Sequence, residues 1–461
     1  MVSHILSNLF RGTRGMQYVS VLIASLGVTT TQMYLTWPSP TISILKGDES
    51  PLGEPISSED SSWIVSIILL SGFPAAFTFH LTTARFCRKQ VLHAASVTLF
   101  LPWFIIIFAN HVAYIYAARI LAGLLLGTTI ITAAMYSSEI ADPDIRGRLG
   151  TSYGVMKLSG SIIVLAVGPF VSYTVLAIVC AIVPFTLFCL LFFIPESPYS
   201  LVKKQRLDEA REAVVMLSGS TDDNEIDERV KTIVAFVHTA ERPLGIKEVF
   251  SNWKYVKSMA IVITLVTFEY FGGFNAINSY QQEIIASSES DISPEVSSIV
   301  FGLIQIPAAI LSAFLVDRLG RKVILYIGCT GCLIPLIAEG VYFYLEDYLK
   351  QDVSAISWLP TTGLVIFLIS HAVHSSVPYI LLGEFFNDKM KNVATTMFSS
   401  AGALAVFGVT KTFEPIREAW GTYTCFWIYS GFTFATILMT HFFLIETKNK
   451  TYQEIERKVY K

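Results

Sequence analysis

The chain has 461 residues, of which 53% are hydrophobic and only 15% charged, and its mean hydropathy is +0.56. Water-soluble domains carry about 25% charged residues, so most of this surface cannot face water and an ordinary soluble enzyme is excluded. The formal net charge of -3 gives no reason to expect a nucleic-acid partner.

A helix needs about 20 mostly apolar residues to cross a bilayer. In chain order such stretches fall at 16–35, 62–81, 91–109, 113–136, 155–173 and 174–194. After a long polar segment they resume at 258–280, 296–316, 323–344, 362–382, 393–413 and 422–444. The residues before 16 are polar and include Arg11 and Arg14, so no cleavable signal peptide is expected. The predicted organisation is a six-helix bundle at 1–194, a cytoplasmic linker at 195–257, and a second six-helix bundle with a cytoplasmic tail at 258–461. Within the linker, 206–217 and 226–237 space their apolar residues helically: Leu207, Ala210, Ala213, Val214 and Leu217, then Ile226, Val230, Ile233, Val234 and Val237.

Loop charge sets the expected orientation. Arg85, Arg88 and Lys89 follow span two, Arg318, Arg321 and Lys322 follow span eight, and Lys389 and Lys391 follow span ten. The opposite loops are acidic, with Asp48, Glu49, Glu54, Glu59 and Asp60 in one and Glu283, Glu289, Asp291 and Glu295 in another. Basic short loops stay in the cytoplasm. The expectation is therefore a multi-pass protein of the cell membrane, embedded in the lipid bilayer, with both termini cytoplasmic. All six cysteines lie in or beside apolar runs. Cys329 and Cys332 have redox or zinc spacing but no second pair and no nearby His, so they are read as packing residues. No cofactor is implied.

The two halves repeat. Ala84-Arg85-Phe86-Cys87-Arg88-Lys89 after span two corresponds to Asp317-Arg318-Leu319-Gly320-Arg321-Lys322 after span eight. Glu139 precedes Arg146 by seven residues after span four, and Glu384 precedes Lys391 by seven after span ten. A carboxylate at a helix end can accept directional, charge-assisted bonds from arginine in a neighbouring loop. These residues form a predicted cytoplasmic latch, with Gly320 permitting a tight turn.

Several strings carry a family resemblance: DRLGRK at 317–322, PESP at 195–198, RGRLG at 146–150, Arg119 to Gly127 in span four, and Glu446-Thr-Lys448. On these the chain resembles the sugar porters of the major facilitator superfamily, and among them the insect facilitated trehalose transporter-like proteins, as at Val409 to Phe413. The resemblance implies an all-α membrane protein of twelve transmembrane helices in two six-helix bundles, the major facilitator fold. It implies a polyhydroxylated small-molecule solute bound at the midplane and carried by alternating access. It also implies a gating network of Arg85, Arg88, Arg119, Glu139, Arg146, Asp317, Arg318, Arg321, Glu384 and Lys391.

The family's span-seven glutamine pair falls on Glu269 and Tyr270, and its asparagine on Asn275. A span-eight asparagine falls on Gln305, and the span-ten Pro-Trp pair on Pro378 and Tyr379. The Asn-Trp pair of span eleven falls on Gly402 and Ala403. The substrate-binding candidates are thus Glu269, Tyr270, Asn275, Tyr280, Gln305 and Tyr379, in a pocket altered from one that binds hexose. Span one, Gly27 to Tyr34, lacks the Asp of sugar–proton symporters in the family. The leading expectation is facilitative transport of a sugar or sugar-like solute; the alternatives are a solute sensor with little transport and a proton-coupled carrier using Glu269. With no nucleophile–base pair, metal cluster or phosphate loop, an enzyme is not expected. His371 and His374 are read as pocket or packing residues, and Glu339 is expected to reach the outer surface.

Overall fold

The structure is a computed structural model that describes residues 13–74, 79, 81–83, 85–142, 144–218, 220, 222–239, 244–288, 293–386, 388–448, 450, 454 and 455; the side chains of 146–148, 150–152, 246, 295, 313, 317 and 388 lie outside the description. Among the described residues it is helical throughout, without strands. In chain order the helices are α1 (Gly15–Thr36), α2 (Pro38–Lys46), α3 (Ser58–Gly72), α4 (Arg88–Ile107), α5 (Val112–Ile140), α6 (Arg146–Val167) and α7 (Tyr173–Leu191). Four short helices follow, α8 (Pro198–Lys203), α9 (Leu207–Leu217), α10 (Asp223–Thr239) and α11 (Ile246–Phe250). Then come α12 (Trp253–Phe271), α13 (Phe274–Ala286), α14 (Pro294–Leu319), α15 (Arg321–Phe343), α16 (Leu359–His374), α17 (Val377–Phe385), α18 (Asp388–Trp420) and α19 (Thr422–Phe442).

Ten helical segments among the described residues are long and apolar enough to cross a membrane. Hydrocarbon offers the backbone no hydrogen-bond partner, so a spanning helix must satisfy itself internally. The expected span 62–81 runs onto residues outside the description. The α19 segment carries threonines at 422, 424, 433, 436 and 440, which lower its hydropathy.

Two spans read as continuous in the sequence are broken in the structure. Span seven divides into α12 and α13 at Gly272 and Gly273, and Gly273 has φ +91°. A Cβ there would also lie 2.2 Å from the ring of Tyr429, so both the turn and the close approach of α19 require glycine. Span ten divides into α16 and α17, with Pro378 in the first turn of α17, where its missing N–H costs nothing.

The chain forms two compact units. One comprises Met1–Thr36 and Pro74–Glu241. In it α1 packs on α6, α5 and α7, and α4 packs on α5 and α7. The short helices α8, α9 and α10 bury Leu201, Val202, Ala210, Ala213, Val214, Ile226 and Ile233 in one small core with Cys87. They are held to the unit by polar bonds. Gln17 donates to Asp142 at 2.9 Å and to the Leu217 carbonyl at 2.9 Å, while Arg14 and Arg229 both pair with Asp142.

The other unit comprises Trp37–Phe73 and Arg242–Lys461. Here α2 packs on α13, α3 on α18, and α15 on both α16 and α19. Four ionisable groups meet where α2, α13 and α18 converge. Lys46 lies 3.1 Å from Glu283 and 3.1 Å from Glu414. Arg417 lies 3.5 Å from Glu283 and 3.0 Å from Glu414. Beside them Lys411 donates to Ser62 at 2.6 Å and sits over the Trp63 ring at 4.2 Å. Two charges of each sign complete the cluster, which is why Glu414 can be fully buried.

Glu339 was expected at the outer surface; it is instead buried. Its carboxyl packs against Gly363, whose missing side chain makes the room.

The Lys46–Glu414 cluster predicts an uneven cost of charge removal. Glu414→Ala leaves two half-buried cations short of a partner and should cost about 3 kcal/mol. Asp144→Ala removes an exposed pair with Arg14 and should cost clearly less, because exposed pairs are screened by water. Thermal unfolding of both purified variants checks this, and equal losses would refute it.

Candidate functional site

The basic end of each unit carries a polar clasp built from three pieces of chain. In the first unit, Arg88 at the start of α4 lies 3.2 Å from Glu139 near the end of α5. Ser197 of the segment after α7 donates its hydroxyl to the other oxygen of Glu139. Glu196 accepts the backbone N–H of Lys89 at 2.9 Å, and the Lys89 ammonium donates to the Ile194 carbonyl at 2.7 Å. In the second unit, Arg321 at the start of α15 lies 2.8 Å from Glu384 near the end of α17. Thr447 donates to Glu384 at 2.5 Å. Glu446 accepts the N–H groups of Arg321 and Lys322, each at 3.0 Å, and the Lys322 ammonium donates to the carbonyls of His441 and Leu444 at 3.0 and 3.3 Å.

The physical reason is common to both. The first N–H groups of a helix have no partner within it and carry partial positive charge. A carboxylate delivered from the segment after the last span satisfies them. Gly320, with φ +92°, is needed for this approach, because a Cβ there would lie 2.7 Å from a Glu446 oxygen. Its counterpart Cys87 has ordinary extended backbone.

The remaining gating candidates lie elsewhere. Arg85, Arg318 and Lys391 are exposed, though the Arg318 carbonyl accepts from Lys448 at 2.5 Å. Arg119 is buried and donates to the Tyr34 carbonyl where α1 ends. It precedes Glu139 on the same helix by 20 residues, which is about 30 Å of rise, so it does not join the clasp. The side chains of Arg146 and Asp317 lie outside the described residues.

The substrate candidates do not share one place. Tyr270 and Tyr379 come together, their phenol oxygens 2.6 Å apart with one donating to the other. Tyr379 is exposed and packs edge-on against Phe398 at 5.2 Å. Glu269, adjacent to Tyr270 in sequence, points the other way into a small cavity inside the second unit. Its neighbours there include Cys329, Cys332, His371, His374 and Thr436. His371 stacks on Phe274 at 3.7 Å, beside the break in span seven. Among the described residues no group of three His, Cys, Asp or Glu is placed to hold a metal. Tyr280 is buried and stacks on Phe413 at 4.6 Å. Gln305 donates its amide to the Phe301 carbonyl of its own helix at 2.8 Å, and Asn275 is half-buried at the start of α13.

Ten apolar helical segments among the described residues, two of the spans broken, and a clasp repeated in the two units define a multi-span membrane fold. The chain matches the family described as "Sugar (and other) transporter" over residues 17–459, and it belongs to that family. It is 28% identical to the facilitated trehalose transporter of Anopheles gambiae, over 96% of this chain and 56% of that protein. The chain thus spans little more than half the length of that relative. It is also 28% identical to the facilitated trehalose transporter of Polypedilum vanderplanki, over 96% of this chain and 88% of the other. The inward-open xylose transporter of E. coli has the same fold, with a TM-score of 0.78 at 21% identity over 95% of this chain and 98% of that one.

Sequence reasoning passed over Glu196, Ser197, Glu446 and Thr447 as clasp members. The signal was present: Glu-Ser follows the sixth span and Glu-Thr the twelfth, at matching places.

The two clasp carboxylates differ in acidity. Burial pushes Glu196 above the usual carboxylate range, and the amides of Lys89 and Ser197 only partly offset it. Burial acts the same way on Glu446, but the amides of Lys448, Lys322, Arg321 and Thr447 outweigh it and hold that carboxyl below the usual range. The Glu446 contribution is therefore present above the ordinary carboxylate pKa and is lost only as pH falls through its depressed value. On acidification Glu196 should take up its proton first. Infrared carboxyl bands assigned with Glu196→Gln and Glu446→Gln check the order, and the reverse order would contradict it.

Proposed function

We propose that the chain is a facilitative carrier of a sugar or sugar-like small solute, working by alternating access without a cofactor. The observation that carries this reading is the family match over nearly the whole chain, joined to duplicated clasps in the two units. The solute meets the exposed side of the Tyr270–Tyr379 pair and Asn275, and residues 1–194 and 258–461 act as the two moving halves around the 195–257 linker, the Lys46–Glu414 and Ser62–Lys411 contacts holding in only one of the alternating states. The chain lies in the cell membrane with its basic ends, and so both termini, in the cytoplasm; the positive-inside bias of the loops supports this. Arg88, Glu139, Arg321 and Glu384 act as latch residues that favour one of the alternating states.

Span one, Gly27 to Tyr34, without the Asp of the family's sugar–proton symporters, supports transport that is independent of a proton gradient. Purified protein in vesicles should take up a labelled sugar saturably, equally with and without a pH gradient. Glu269→Gln, nearly isosteric, should keep at least about a third of the uptake, since no charge-assisted contact worth roughly 1.5–3 kcal/mol is lost. Saturable binding with no flux would favour a sensor. Uptake that follows the pH gradient and disappears in Glu269→Gln would favour proton coupling.

A further inference from the structure

We propose that Gly402 is a specificity-determining residue that seats Tyr270 against Tyr379, and that the resulting aromatic, amide-poor face selects glycosides bearing an apolar alkyl or aryl group over free sugars. This deepens the carrier reading above and rests on it.

The seat is steric. Gly402 on α18 is buried against Tyr270, and a Cβ at this position would lie 2.8 Å from Tyr270 Cε2 and within 3.7 Å of two further ring atoms. A carbon that close forces the ring to move, because the atoms it meets belong to a rigid phenol rather than a flexible chain end. With the ring in place its hydroxyl reaches Tyr379 at 2.6 Å, and Tyr379 is braced edge-on by Phe398. Glycine at 402 and tyrosine at 270 are thus complementary changes: one side chain is lost where another has grown.

The chemical consequence is a loss of free hydrogen-bonding groups. The phenols of Tyr270 and Tyr379 bond each other. The Gln305 amide is committed to the Phe301 carbonyl. Glu269 points into its separate cavity. Gly402 and Ala403 offer no polar side chain. Asn275 alone keeps an amide without a hydrogen bond to a described residue. The phenol pair keeps one free O–H and its acceptor lone pairs, so only a few sugar hydroxyls pressed against this face would find a partner, and each one stranded weakens binding by roughly five- to a hundredfold. Aromatic faces instead attract apolar surface and other rings. A solute that turns an alkyl or aryl group toward Tyr270 and Tyr379, and its hydroxyls elsewhere, fits.

Binding to the purified full-length chain, measured by titration calorimetry with glucose, trehalose and phenyl β-glucoside, tests this. The expected result is that phenyl β-glucoside binds at least about tenfold more tightly than glucose. Tyr270→Gln removes the ring and should erase that preference. Gly402→Asn should do the same by displacing the ring, and Gly402→Ala provides a smaller displacement where the asparagine variant unfolds. Tyr270→Phe keeps the ring and should retain the preference. Glucose or trehalose binding as tightly as phenyl β-glucoside to the wild-type chain overturns this inference while leaving sugar carriage intact. A preference that survives both Tyr270→Gln and Gly402→Ala overturns the role of Gly402. Binding of none of the three overturns the inference together with the reading on which it rests.

Discussion

A helix beginning at a membrane edge presents its first N–H groups with no partner inside the helix and with the positive end of its dipole exposed. In this chain two such starts, at Lys89 and at Arg321–Lys322, are met by carboxylates from distant segments, Glu196 and Glu446. The rest of each basic end depends on that contact. With the acid in place, the lysine beside it can reach back to the carbonyls that end the last span of its unit, and the next hydroxyl can reach the helix-end glutamate. That glutamate, Glu139 or Glu384, is then also within reach of the arginine. Each clasp ties together three elements far apart in sequence by bonds that a charge or a helix dipole assists.

The two clasps are chemically matched but electrostatically unequal. Four amides hold Glu446 ionised, while burial dominates at Glu196. The backbone differs too, with a positive φ at Gly320 and extended backbone at Cys87. A duplicated fold has therefore kept one bonding plan while its two copies differ in backbone and in the acidity of the capping carboxylate. At the opposite end of the second unit the Lys46–Glu283–Glu414–Arg417 cluster follows a different plan, closed charge balance rather than helix capping, and ties α2 to α13 and α18.

Much of this was legible in the sequence because it rests on periodicity and charge. Apolar length revealed the spans, and the matched strings around Arg88 and Arg321 revealed the repeat. The breaks at Gly273 and between His374 and Val377 were not, because a pair of glycines or a proline in an apolar run is compatible with a continuous helix as well as with a divided one. Adjacent residues in a span face different directions, since each step turns about 100°. That is why Glu269 and Tyr270, read as one pair, lie in two places. Arg119 misled for a related reason: its place in a family string says nothing of which end of a long helix it occupies. The seat that Gly402 makes for Tyr270 lies beyond sequence reading, because it is a contact between α18 and α12 that only packing reveals.

The central claim, that carboxylates from the ends of the two halves hold the starts of α4 and α15, is tested most directly by amide hydrogen exchange at single-residue resolution. In Glu446→Ala the amides of Arg321 and Lys322 should exchange faster while that of Lys89 is unchanged, and Glu196→Ala should do the converse. Exchange at all three amides that is indifferent to both substitutions would contradict it.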